Sequence, residues 1–212
     1  MSHPFAAPAH DVVDHAATVD ELEPGLFLDV WFRPRQVVRT VLAHDATYAW
    51  WAVAFLVGLG GWNVRGDFLP ATYGGILALA LVLAVPTGAL FVGLYGLTTY
   101  VGASMLGDRA TVRELAVAVA WGSLPDAMGQ IPGLVWLLVA GAAGLEGPAV
   151  DAVHVGLMGV ALVGWTWSWF TVSHAVGAVL GRSAWRGLVA YVFVGFALTL
   201  LGLGAAAMLM VR

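Results

Sequence analysis

Five long apolar runs dominate this chain and leave it few ways to fold. They are Thr47–Trp62, Ala71–Met105, Val112–Leu145, Ala149–Leu180 and Ala184–Val211, joined by the short links "NVRGD", "LGDRAT", "EGP" and "GRS". A bilayer core about 30 Å thick takes about 20 helical residues. The first run fits narrowly, and the other four have length to spare for tilt or protrusion. Backbone amides in lipid must be bonded within their own segment, which selects helices. The short links then set sequence neighbours antiparallel in space. Composition agrees, because 60% of the 212 residues are hydrophobic and only 10% are charged, against about a quarter in a soluble domain. The expected fold is all-α: a polytopic membrane helix bundle of five transmembrane helices over residues 24–212.

Residues 1–23 are expected to form a disordered acidic tail, with Asp11, Asp14, Asp20, Glu21 and Glu23 and no hydrophobic period. They lack the basic start and apolar core of a signal peptide. This acidity accounts for most of the net charge of −4 and argues against nucleic acid as a partner. There is no cysteine, so disulfides and thiolate chemistry are excluded.

All nine basic residues are arginine, and their placement orients the chain. With the N-terminus in the cytoplasm, Arg33, Arg35, Arg39, Arg109, Arg113, Arg182 and Arg186 lie inside, and only Arg65 and Arg212 outside. That bias predicts a cytoplasmic N-terminus and a C-terminus on the opposite side. Pro34 suits the first turn of a helix. After it, Val37, Val38, Val41 and Leu42 gather on one face, with Arg35, Gln36, Arg39 and Thr40 opposite. This predicts an N-terminal amphipathic interfacial helix. Its valines would lie in the acyl boundary, and Arg33, Arg35 and Arg39 would contact anionic headgroups.

The stretch "WFRPRQVVRTVL", the five runs, the link "LGDRATVRELAVAVAWGSLP" and the link "HAVGAVLGRSAWRGL" together resemble the Yip1 family, most closely its compact prokaryotic members. The resemblance covers roughly residues 26–211. It implies a five-span, non-enzymatic protein of the prokaryotic cytoplasmic (inner) membrane, acting as a scaffold or adaptor through lipid and protein contacts. Eukaryotic members associate with Rab GTPases and with one another. This chain lacks their long cytosolic domain, so that partner is not carried over.

Two S/T-x-x-D/E patterns mark helix starts in the third run: "TVRE" at Thr111–Glu114 and "SLPD" at Ser123–Asp126. They predict two helices in series with a break near Gly122. Asp126 then has two readings. It is either an interfacial cap or a costly intramembrane carboxylate marking a site. The fourth run sets Gly164, Trp167, Ser168, Thr171 and His174 on one helical face. A polar face in a membrane helix is expected to point into the bundle, with Gly177-x-x-x-Gly181 as a tight helix contact. The sharper reading pairs His174 with Asp126 as a polar pathway that also uses Gln130, Ser168 and Thr171. That pathway would belong to a small transporter or channel subunit. An accessory subunit of a larger membrane complex is a third reading, with a homo-oligomer also open.

Signatures of hydrolases, metalloproteases and phosphate-binding loops are absent. No enzyme activity, cofactor or metal is expected. His154 and His174 lie in one run, and no other run supplies a histidine for two-sided haem ligation.

Overall fold

The structure is a computed structural model and describes residues 25–44, 52–59, 73–145 and 147–193. These residues form eight helices and no strand. The helices are α1 (Leu26–Asp29), α2 (Pro34–His44), α3 (52–59), α4 (Tyr73–Met105), α5 (Val112–Gly122), α6 (Leu124–Ala142), α7 (Pro148–Val179) and α8 (184–193). The acidic tail, the link carrying Arg65, Arg212, half of the first apolar run and most of the fifth lie outside the described residues.

Glycine ends both long helices in the same way. Gly107 after α4 and Gly181 after α7 take φ of 75° and 62°, a left-handed conformation that favours residues without a Cβ. The chain then turns back on the last helical carbonyls. Asp108 N–H donates to Ala103 O at 3.0 Å, and Arg182 N–H donates to Gly177 O at 2.8 Å. A charged residue is thereby placed just past each helix. Gly177 and Gly181 therefore do not form the paired contact expected of them. Gly177 packs against Ser183 and Ala184, while Gly181 is a helix stop with open space around it.

α6 and α7 form an antiparallel hairpin whose axes come close at Gly129 and Gly164. A methyl group on Gly164 would meet the Pro125 carbonyl at 2.5 Å, so the approach depends on the missing side chain. α5 fits among α2, α4 and α7 and is buried from Leu115 to Gly122. Trp121 is the largest fully buried side chain, and its ring stacks at 5.2 Å on Phe27 of α1.

Elsewhere the apolar side chains face outward. α4 and α7 are long and apolar enough to cross a membrane. Only 22% and 11% of their most apolar stretches are buried inside the protein, whereas the core helix of a soluble domain buries most of its length. α6 carries Asp126, Gln130 and two prolines and does not meet the same measure.

α2 differs from its expected setting. Val37, Val38 and Val41 are buried against α5 and α7 rather than exposed to an acyl boundary. Packing on protein excludes water from the valines as well as lipid does, so hydrophobic periodicity alone does not choose between them.

Candidate functional site

The two expected capping boxes behave differently. At the start of α5, Glu114 N–H donates to Thr111 Oγ1 at 3.2 Å, and Thr111 N–H donates to Glu114 Oε2 at 2.7 Å. Thr111 is extended, with φ −91° and ψ 155°, which lets its hydroxyl reach the first-turn amides. Ser123 instead keeps helical angles, φ −85° and ψ −4°, and makes no side-chain cap bond. The Ser123–Asp126 box is therefore not formed. One residue separates α5 from α6, and the interruption is satisfied from outside. Thr171 of α7, fully buried, donates its hydroxyl to the Gly122 carbonyl at 2.5 Å. A methyl on Gly122 would meet Val172 Cα at 2.6 Å. α7 thus touches backbone here, and a hydroxyl is what the exposed carbonyl requires.

Asp126 is half-buried and accepts from Gln130 Nε2 at 3.3 Å, one turn along its own helix. Ser168 donates to the carbonyl of Trp165 at 2.7 Å, also within its own helix. Gly122 lies beside Val172, and Gly129 lies beside Gly164. That register puts Asp126 roughly level with Ser168, about 9 Å from His174 along the helix axis. His174 stacks on Phe170 at 4.3 Å and lies within electrostatic reach of Arg35. Among the described residues no hydrogen bond or ion pair joins Asp126 to His174. The structure therefore brings Asp126 and Ser168 to about one depth, with Gln130 one turn further along α6, Thr171 nearer the interruption and His174 apart.

A charged cluster that the sequence reading did not single out closes one end of the molecule. Asp108, its side chain 2% exposed, accepts from Arg182 Nε at 3.0 Å and from Arg186 Nε at 2.7 Å. Arg186 also donates to the Leu106 carbonyl at 2.5 Å, capping the C-terminal end of α4. Burial alone would push the Asp108 carboxyl up. The bonds and charges of the two guanidinium groups outweigh it and hold the carboxyl below the usual carboxylate range. The available signal was the pair of helix stops "LGD" and "LGR", each delivering one partner. Of the three arginines expected at headgroups, Arg33 and Arg39 are exposed, while Arg35 donates to the Arg182 carbonyl at 2.7 Å.

Thr98, Thr99 and Ser173 also donate to carbonyls of their own helices. Among the described residues no group of three or more histidines and carboxylates converges to hold a metal. Comparison with protein-family models, curated proteins and solved structures finds no match to this chain.

Proposed function

We propose that the chain is a five-span integral membrane protein without enzyme activity, a scaffold or adaptor of the kind the Yip1 resemblance implies. It would act through helix packing and through lipid and protein contacts. One observation carries this reading: Thr171, Gln130 and Ser168, the groups a polar pathway between α6 and α7 would use, are each bonded to a helix carbonyl or to Asp126. The Thr171 hydroxyl goes to Gly122, Gln130 goes to Asp126, and Ser168 goes to Trp165. A transport pathway needs polar groups left available to a permeant species. The outward-facing apolar surface of α4 and α7 supports membrane embedding. Arg33 and Arg39 remain exposed for anionic headgroups.

Because the chain has no cysteine, single cysteines introduced for labelling report topology without background. Residues 1–45 and the link at residues 181–187 are expected on the cytoplasmic side, with Arg212 opposite. Both termini on one side would refute five spans. In proteoliposomes, wild type and Asp126→Asn should both show only background ion and proton flux. The substitution should change stability by less than about 1 kcal/mol, because asparagine still accepts from Gln130. Flux in the wild type that Asp126→Asn abolishes would favour the transporter reading instead.

A further inference from the structure

Three guanidinium groups and one carboxylate converge on the turn between α7 and α8. Asp108 binds Nε of both Arg182 and Arg186, and Arg35 reaches the Arg182 carbonyl. Among these four groups, three positive charges less one negative leave an excess of two. Glu114, in the first turn of α5, is bonded to Thr111. Arg182 uses only its Nε, so its terminal nitrogens have no partner among the described residues, and its side chain is 53% exposed. Like charges this close repel unless an anion joins them, and a guanidinium fork suits phosphate oxygens.

The same turn opens on a groove of about 330 Å³ with a wholly apolar lining. Trp169 of α7 forms one wall, and Trp185, Leu188, Val189, Val192 and Phe193 of α8 form the other. Trp185 is 72% exposed, lies in the first turn of α8 and is adjacent in sequence to Arg186. Arg182 and Arg186 lie three residues before and one residue after Trp185 of the groove, so cationic groups sit within about a turn of its mouth, and an anionic amphiphile has the complementary form.

We propose that this groove and its arginine rim hold one anionic phospholipid. Its phosphate sits at Arg182, with Arg35 and Arg186 adding charge, and an acyl chain runs past Trp185 toward Phe193. A free phosphate would leave the groove unused. The ammonium of a zwitterionic lipid would meet the excess positive charge. The proposal rests on the membrane reading above and adds to it a lipid class and a place.

The test uses the full chain in neutral detergent with mixed phosphatidylcholine and phosphatidylglycerol, counting retained lipids by native mass spectrometry. Wild type should retain phosphatidylglycerol in preference. Arg182→Gln should weaken that retention about fivefold, and Arg182→Lys should largely keep it. Val189→Trp fills the groove with the arginines untouched and should also lose retention, which keeps the test decisive if Arg182→Gln unfolds. Equal retention of both lipids by the wild type overturns the proposal. So does displacement of phosphatidylglycerol by an equal concentration of inorganic phosphate, which would mark a free-anion site. Release of the chain from membranes by alkaline carbonate defeats the membrane reading and this proposal together. Firm membrane retention with no lipid preference defeats this proposal alone.

Discussion

The two ends of α7 are both apolar and sit in opposite surroundings. From Val153 to Phe170 its large side chains face outward, among them Val155, Met158, Leu162, Val163 and Trp165. From Thr171 to Ala178 almost every residue is buried beneath α2, α5 and α8. Hydrophobicity does not separate these halves, but side-chain size and hydroxyl placement do. The buried end is built from Thr171, Ser173, Ala175, Gly177 and Ala178, which let neighbouring backbones come close. In the outer half Ala161 and Gly164 lie where α6 packs, while Gly156 and Gly159 face open space. Where a membrane helix meets protein, small and hydroxyl residues gather; where it meets lipid, bulky ones are tolerated.

Paired substitutions test this contrast, and tryptophan gives the largest effect. Trp121→Ala, in α5 against the buried end of α7, should cost about 3–5 kcal/mol. Trp165→Ala on the outer face should cost less than about 1 kcal/mol, since its outward surface gains no protein contact on folding. Denaturation of both variants in one detergent measures the difference, and equal losses would erase the distinction between the two halves.

The Asp108 cluster comes next and sharpens the comparison at the buried end. Asp108→Asn should destabilise by about 1–3 kcal/mol, the figure held down by the half-exposed arginines. Because the folded carboxyl titrates below its unfolded value, its contribution is fully present above the unfolded pKa of about 3.9. It drains away as pH falls from there through the lower folded value. Acid unfolding of Asp108→Asn should therefore lack that component of the slope between about pH 4 and the acid limit. An unchanged acid profile would mean that the ion pairs contribute nothing.

The smallest contrast concerns two threonines one and a half turns apart. Thr171→Val removes the donor to Gly122 and should cost about 1–2 kcal/mol. Thr166, exposed and bonded only to Leu162 of its own helix, should tolerate valine within about 0.5 kcal/mol. A Thr171→Val protein as stable as wild type would show that the interrupted carbonyl finds another partner.

Much of this arrangement was legible in the chain. The Thr111–Glu114 box is a local exchange of bonds across one turn, and it forms as its spacing predicts. The Ser123–Asp126 pattern is equally good on paper but does not form. α5 and α6 are held nearly in line by α7, so Ser123 keeps helical angles that its capping role does not allow. α2 was legible as an amphipathic helix but not as to what covers its valines. Asp126, Gln130 and Ser168 were legible as polar groups within apolar runs. That they bond locally, with His174 elsewhere along the axis, depends on the register of two helices.

By itself the sequence determined what local chemistry settles: helices from apolar runs in which backbone bonding has no outside partner, and the Thr111–Glu114 box that starts α5. Tertiary structure alone decided the contacts between residues far apart in the chain. Arg182 and Arg186 meet Asp108 from 74 and 78 positions away, and Thr171 meets Gly122 from 49. Each of those side chains has several chemically adequate partners in the sequence. Only the close approach of backbones at Gly122, Gly129 and Gly164 selects among them, because the helix register it sets brings one partner within bonding distance and carries the others past.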